Sequence, residues 1–129
     1  MLDLRVNPAS HVPPSVQLVD TVLDAVAAGV LAEGSRLPSV RTAAIEALVN
    51  PNTVAKAYKE LERLGVVAGR NGSGVFVCEG GAFTARELRR AATIEAFERA
   101  ASEALRAGHD AEELRLRLAE LVKGTGAKV

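Results

Sequence analysis

The sequence predicts a mostly α-helical fold with one small β-hairpin. Along most of the 129 residues, apolar side chains recur at three- and four-residue steps, which is the spacing of an amphipathic α-helix. The spacing changes once, to two short β-prone runs around the glycine-rich connection Asn71-Gly72-Ser73, a pattern typical of a hairpin. Because 48% of the residues are hydrophobic but only 3% are aromatic, the core is expected to be aliphatic.

The first two helices are predicted from their start signals. Pro13-Pro14 suits a helix start because proline fixes φ at a helical value, and the apolar stripe that follows reaches about Ala28. A short extended segment comes next, and the Ser39 hydroxyl can then cap a second helix that runs to about Ala47. Each of these helices needs a partner for its apolar side.

The third helix and the hairpin follow directly. Asn50 is a good N-cap and Pro51 fits the first helical position, so a helix is predicted over residues 50–64. The hairpin is predicted over residues 66–78. Two helices joined by a tight turn, with a hairpin after the second, have the order of a winged helix-turn-helix, in which the second helix enters the major groove of DNA.

Gly80-Gly81 is the one clear linker in the sequence, and it separates two predicted units, residues 1–79 and 82–129. The second unit has room for two amphipathic helices, which alone make only a thin core. Their apolar sides must therefore cover the first unit, each other, or a second copy of the chain.

Both helices of the second unit are predicted to begin with a capping box, in which Thr84 pairs with Glu87 and Asp110 pairs with Glu113. The longer helix is expected over about residues 85–107. Apolar residues recur along one side of each helix. We call these residues the C-terminal apolar face: Leu88, Ile94, Phe97, Ala101, Leu105, Leu114, Leu118 and Leu121.

Charge is distributed unevenly along the chain. With 16 basic and 16 acidic residues the formal net charge is zero, which gives no general argument for a polyanionic partner. Residues 36–74, however, contain six basic and three acidic side chains, whereas residues 1–35 contain one basic and four acidic side chains. A basic segment therefore coincides with the predicted DNA-binding surface.

The motifs in this segment resemble a known family. The run Leu37-Pro38-Ser39-Val40-Arg41, followed by residues 49–67, closely resembles the DNA-binding domain of the GntR family of bacterial regulators. The upstream Gly34-Ser35-Arg36 and the downstream residues 70–77 match in order and spacing, so the resemblance covers roughly residues 13–78.

The resemblance implies a transcriptional regulator that binds double-stranded DNA through its third helix and its hairpin, the wing. Most of the family has a larger ligand-binding or aminotransferase-like domain where this chain has only residues 82–129. That short C-terminus is similar to the YtrA-like branch, in which it mainly serves dimerisation. The resemblance therefore implies a homodimeric regulator, expected to be a repressor of a two-fold symmetric operator, with the C-terminal apolar face at the dimer interface and little room for an effector pocket.

The same resemblance assigns roles to single residues. It makes Arg41 a reader of a base edge, because arginine can bind guanine O6 and N7 together. Asn52, Thr53 and Lys56 lie on one side of the third helix and can face the groove together, whereas Tyr58 is divided between a buried ring and a hydroxyl that reaches a phosphate. The expected DNA-binding residues are Ser39, Arg41, Asn50, Asn52, Thr53, Lys56, Tyr58, Lys59, Arg63, Arg70, Asn71, Gly72, Ser73 and Gly74.

Several of these residues have a second interpretation. Ser39 serves as a helix cap whether or not it contacts a phosphate. Lys59 and Arg63 are expected to face phosphates or only water, and a glycine-rich wing tip is also an ordinary turn. At the wing tip, glycine lets the backbone approach the minor groove and Arg70 adds charge there.

Three positions depart from the family pattern. Leu48 stands in the turn where the family usually has glycine, Ala43 where it usually has leucine, and Ser15 where an aromatic residue is common. We therefore expect small differences in the turn geometry and in the packing near the first helix.

The sequence offers no catalytic or metal site. His11 and His109 lack the spacing of metal ligands, and Cys78 has no neighbouring histidine and fits a small hydrophobe at a strand end. No run approaches the roughly 20 apolar residues of a membrane-spanning helix. We therefore expect a cytoplasmic, nucleoid-associated protein that is not an enzyme and needs no cofactor, and whose small-molecule effector, if one exists, is unknown.

Two other functions stay open at this point. Winged folds can bind proteins, and the C-terminal helices could pair with a different chain. Alternatively, a nucleoid-type protein would use the basic surface to coat DNA with little sequence preference.

Overall fold

The computed structural model describes residues 2–125 and confirms a mostly α-helical fold with one small β-hairpin. The chain divides into two compact units, Met1–Arg90 and Ala91–Val129. The elements of the described residues are α1 (Pro14–Ala27), α2 (Val40–Ala47), α3 (Pro51–Arg63), β1 (Val67–Arg70), β2 (Gly74–Val77), α4 (Gly81–Arg106) and α5 (Ala111–Thr125).

The predicted starts of the first three helices are confirmed. Pro14 stands at the first position of α1. The Ser39 hydroxyl accepts a hydrogen bond from the backbone N–H of Thr42 at 3.1 Å and so caps α2. The Asn50 carboxamide oxygen accepts from the N–H of Asn52 at 2.7 Å and caps α3. Local side-chain chemistry therefore fixes where these helices begin.

The turn between α2 and α3 contains a strained residue. Leu48 adopts the left-handed conformation, with φ 57° and ψ 47°, and is 88% exposed. This conformation costs an L-residue about 1–2 kcal/mol, whereas glycine adopts it freely. The chain therefore keeps the turn that suits glycine, without the glycine that is usual in the family.

The core of the first unit is aliphatic, as predicted. The apolar side of α3 packs against α1 and α2, and α2 contributes only the small residues Ala43, Ala44 and Ala47 to the core. Alanine at these positions lets the two helices approach closely. The largest fully buried side chains are Leu37, Leu61, Val22, Val26, Val54, Val66, Val67 and Val77.

The predicted hairpin is present and carries a third extended segment. β1 and β2 pair antiparallel, and residues 34–37 pair along the other side of β2. In this second pairing the Leu37 N–H donates to Val75 O at 2.8 Å, and the Val77 N–H donates to Ser35 O at 2.9 Å. The segment that leads into α2 is therefore held by the wing.

The glycine pair at 80–81 does not act as a linker. Gly81 is buried and is the first residue of α4, and a Cβ on it would stand 2.9 Å from Val66 O. The Glu33 carboxylate accepts hydrogen bonds from the N–H groups of Gly80 at 3.1 Å and Ala82 at 3.3 Å. Glycine is needed here for close packing, and a distant glutamate caps the helix.

One predicted capping box is confirmed at its N-cap and the other is wrong. Asp110 Oδ1 accepts from the N–H of Glu113 at 2.8 Å, directly before α5. Thr84 instead lies inside α4, where its hydroxyl donates to Gly80 O at 3.3 Å. The helix extends three residues before Thr84 because the packing of Gly81 allows it.

The boundary between the two units lies between Arg90 and Ala91, about two and a half helical turns beyond the predicted linker, because the start of α4 packs on the first unit. Leu88 was assigned to dimerisation by the sequence, but it packs against the core of its own unit. Arg89 Nε also donates to Asp24 Oδ1 at 2.6 Å, which attaches this part of α4 to α1.

Replacing the strained Leu48 by glycine is expected to stabilise the protein. Leu48→Gly relieves the left-handed strain, and the greater entropy of glycine in the unfolded chain offsets part of that gain, which leaves about 0.5–1 kcal/mol. Chemical denaturation measures the difference. Leu48→Ala is the matched control because alanine carries the same strain, so equal stabilisation by both substitutions would contradict the explanation.

Candidate nucleic-acid interface

Helix α3, the predicted DNA-binding helix, has one apolar and one polar side. Val54, Ala57, Tyr58 and Leu61 are buried. Of the expected DNA-binding residues, Thr53 and Gly74 are half-buried and Tyr58 is buried. The exposed ones are Ser39, Arg41, Asn50, Asn52, Lys56, Lys59, Arg63, Arg70, Asn71, Gly72 and Ser73.

The exposed cations of α2 and α3 fall into two groups. Arg41, Lys56 and Lys59 form no ion pair with any residue in 2–125. Arg63, in contrast, donates two hydrogen bonds to the Glu60 carboxylate, at 2.7 Å from Nε and 2.6 Å from Nη2. These bonds lower the pKa of Glu60 and raise that of Arg63. The sequence did not distinguish the paired arginine from the unpaired cations.

Two polar residues of the surface also serve as caps. The Ser39 hydroxyl accepts from the N–H of Thr42 and donates to its hydroxyl oxygen at 3.0 Å. The carboxamide oxygen of Asn50 is occupied by the N–H of Asn52. The Asn50 amide nitrogen is therefore the group of these two side chains with donors left for a DNA phosphate.

Of the two roles predicted for Tyr58, the structure shows the buried one. It is 6% exposed, and its hydroxyl donates to Pro38 O at 2.7 Å. Burial, with a smaller effect from the charge of Glu46, raises the pKa of Tyr58 to about 12. The hydroxyl proton is thus used inside the domain, where it holds the segment before α2 against α3.

The wing presents a fixed arginine beside its tip. The Arg70 guanidinium lies over the ring of Phe76, 4.5 Å from its centroid, an arrangement that favours a cation. The tip residues 71–73 are exposed, and the Ser73 N–H donates to Arg70 O at 2.9 Å. The sequence assigned no DNA contact to Arg36, whose side chain lies against Gly74 in the same wing.

A second surface lies in the second unit. The exposed fractions are 56% for Ile94, 50% for Phe97, 51% for Leu105, 44% for Leu118 and 67% for Leu121. No described residue of α5 is buried. Most of the C-terminal apolar face is therefore uncovered in the single chain. Two other members of this face, Ala101 and Leu114, are half-buried.

Metal sites and membrane-spanning helices are absent from the described part of the chain. Among residues 2–125 there is no group of three or more histidine, cysteine, aspartate or glutamate side chains that could hold a metal ion. The helices of that part include none that is both long and apolar enough to cross a membrane.

Comparison with known proteins agrees with this geometry. The family described as bacterial regulatory proteins, gntR family, matches residues 14–77. The HTH-type transcriptional repressor YtrA of Bacillus subtilis (strain 168) is 33% identical over 111 residues, which cover 86% of this chain and 85% of YtrA. The chain belongs to the GntR family. It is a transcriptional regulator with a DNA-binding winged-helix domain.

Solved structures of GntR regulators and their relatives have the same fold. A transcriptional regulator from Oenococcus oeni superimposes with a TM-score of 0.69 at 31% identity, over 91% of this chain and 97% of its own. The GntR-family transcription factor YtrA from Sulfolobus acidocaldarius gives a TM-score of 0.58 at 26% identity, over 74% of this chain and 98% of its own. The resemblance to the YtrA-like branch is thereby confirmed.

Removing the hydroxyl of Tyr58 is expected to lower stability and leave DNA affinity unchanged. Tyr58→Phe loses one hydrogen bond at a buried site, which costs about 1 kcal/mol. The free energy of unfolding comes from urea denaturation, and DNA affinity is measured well below the unfolding temperature. A loss of affinity in the folded variant would restore the phosphate role.

The raised pKa of Tyr58 also predicts a pH dependence. A phenol with a pKa near 10.0 when unfolded and about 12 when folded stabilises the fold below pH 10, and this contribution disappears as the pH rises to 12. Wild-type stability should therefore fall more steeply than that of Tyr58→Phe across this range. Parallel curves would show that the hydroxyl is not held as described.

Proposed function

We propose that this GntR-family protein is a homodimeric repressor. In this proposal it binds a two-fold symmetric operator through the recognition helix, residues 50–64, and the wing, residues 66–78. The observation that carries the proposal is the set of exposed, unpaired cations on α2 and α3. A regulator of this kind acts on the chromosome, so we place it in the cytoplasm, in association with the nucleoid.

Phosphate binding accounts for the unpaired cations. A lysine or arginine that has no acidic partner gives up no ion pair when it binds a phosphate, and it releases a counterion from the DNA. Lys59 meets this condition, whereas Arg63 must first leave Glu60. We therefore assign general DNA affinity more to Lys59 than to Arg63.

Base readout is assigned to Arg41 and to the polar side of α3. Arg41 lies in the first turn of α2, where the helix dipole disfavours a cation, so its position is better explained by a ligand than by helix stability. Asn52 and Lys56 lie on the side of α3 away from the core, and the half-buried Thr53 lies at its edge. These side chains can bind adenine, a thymine methyl group and a guanine.

Dimerisation is assigned to the C-terminal apolar face, without Leu88. The uncovered side chains of Ile94, Phe97, Leu105 and Leu121 lose unfavourable contact with water when a second copy covers them. A two-fold operator calls for two identical winged domains. Repression itself is inferred from the name of the Bacillus subtilis relative, a transcriptional repressor.

The role of Arg41 is tested by binding to operator and random DNA. A site enriched from a random DNA library and a scrambled control are titrated by fluorescence anisotropy at two salt concentrations. Arg41→Ala should weaken operator binding by about 1–3 kcal/mol and relax sequence preference. Lys59→Ala should weaken binding to the operator and to the scrambled DNA by the same factor.

Arg99→Ala is the control for charge, because Arg99 is an exposed arginine paired with Glu95 at 3.0 Å in the second unit. Its DNA affinity should stay unchanged. Equal loss on both DNAs for Arg41→Ala would contradict base readout. Equal binding of both DNAs by the wild type would indicate a nucleoid-type protein, and binding of neither would point to a protein partner.

The dimer is tested with a matched pair of leucines on α5. Leu121→Glu places a charge on the C-terminal apolar face and should give a monomer by sedimentation, with weaker binding to a palindromic site. Leu116 is 60% exposed but lies on the opposite side of the helix from Leu114 and Leu118. Leu116→Glu should therefore leave the dimer intact, and an intact Leu121→Glu dimer would refute the assignment.

A further inference from the structure

Two arginines lie on the outer face of the wing. Residues directly opposite each other in an antiparallel pair point to the same face of a sheet. Arg36 is opposite Phe76, and Phe76 is opposite Ala68. Arg70 is opposite Gly74, two residues further along β2. Arg36 and Arg70 therefore flank β2 on one face.

The Arg36 side chain lies over β2 at a glycine. Its Nε atom lies 2.6 Å, and its Cζ atom 3.3 Å, from the place where a Cβ on Gly74 would stand. Gly74 has a φ of +114°, which also favours glycine. The missing side chain thus leaves the space in which Arg36 lies. The Arg70 head group lies instead over Phe76.

The two guanidinium groups have no acidic partner in the part of the chain that the structure describes. Within residues 2–125 neither Arg36 nor Arg70 forms an ion pair. Their head groups lie over neighbouring positions of the same face of β2, which are about 7 Å apart along a strand. Glu33 and Glu79 line the same surface cavity as Arg70 and Phe76. In sequence, however, Glu79 follows the Cys78 end of β2, whereas Arg70 and Gly74 stand beside the wing tip. The uncompensated positive charge is therefore at the tip.

Arg36 lies between two parts of the proposed DNA surface. It precedes Pro38 and the start of α2, which carries Arg41, and its head group lies at Gly74, directly after the wing tip. We propose that Arg36, with Arg70, binds one phosphate of the DNA backbone at the wing, an inference that rests on the DNA-binding function proposed above. A phosphate between two guanidinium groups accepts hydrogen bonds from both and removes their mutual repulsion.

A phosphate fits this position better than a base. The Arg36 side chain lies over β2, with its Nε and Cζ atoms at Gly74, so its length is used along the sheet surface and its head group stays at the strand. The planar guanidinium also matches the oxygens of a phosphate. Arg36 therefore adds affinity and orientation and does not select a sequence.

The test measures how Arg36→Gln changes DNA binding over a range of salt concentrations. Glutamine keeps a polar side chain against Gly74 and removes the charge. Affinity for the operator and for scrambled DNA should fall by the same factor, roughly 3- to 10-fold, and the slope of log affinity against log salt should decrease by about one. Arg36→Lys keeps the charge and should retain the slope.

Controls separate the possible causes. Arg99→Gln should change neither affinity nor slope. The Arg36→Gln and Arg70→Gln losses should be less than additive in the double variant, because both side chains bind one phosphate. Thermal unfolding checks that each variant is folded. If Arg36→Gln is unstable, Arg36→Lys is compared with the wild type instead, and the phosphate contact predicts a reduced DNA affinity with an unchanged slope of log affinity against log salt.

The outcomes distinguish this inference from the proposed function. If wild-type protein prefers its operator and Arg36→Gln binds with unchanged affinity and slope, the Arg36 assignment alone is wrong. A loss confined to the operator would also overturn it, in favour of base readout. If the wild type shows no salt-dependent DNA binding, the proposed function itself fails.

Discussion

The first unit is organised around the apolar side of α3. Val54 and Leu61 are 0% exposed and Ala57 is 1% exposed, and burying a valine or leucine side chain contributes about 1.5–3 kcal/mol. A rotation of α3 about its axis would return these side chains to water. The core therefore fixes which side of α3 faces outward, and Asn52 and Lys56 owe their position to it.

The segment before α2 connects this core to the wing. Its backbone pairs with β2, and Pro38 O accepts the hydroxyl of Tyr58 from α3. The start of α2 is thus held by the wing on one side and by α3 on the other. Arg36 and Arg41 stand before and after Pro38, on a segment that backbone pairing with β2 holds in place even without the Tyr58 hydroxyl. This pairing gives the preorganisation that a binding surface requires.

Local chemistry made much of this predictable. Ser39 and Asn50 cap helices with their own side chains, so a reader of the sequence can place α2 and α3. Interactions between residues far apart in the sequence could not be predicted from it. Tyr58 binds a carbonyl 20 residues away and Glu33 caps a helix 47 residues away, and Gly81 looked like a linker because its contact with Val66 O is a tertiary one.

The same limit applied to the candidate site. Family motifs and the positions of exposed polar residues on α3 were predictable, because a helix with a buried side leaves the other to solvent. Which cations are free was not, because the Arg63–Glu60 ion pair depends on rotamers. Leu88 was assigned to dimerisation because it continues the helical spacing of apolar residues that includes Ile94. The first turns of α4, however, pack on the first unit.

The small number of base readers explains why the proposed function needs the second unit. One winged domain offers Arg41 and the polar side of α3, and each well-placed base contact gives about 1–3 kcal/mol of discrimination. Specific binding commonly exceeds non-specific binding by roughly 4–10 kcal/mol. Two linked domains double the number of readers, and once the first half-site is bound the second binds as an intramolecular step. In the proposed function, the exposed apolar residues of α4 and α5 are therefore as necessary to operator selection as the side chains assigned to base readout.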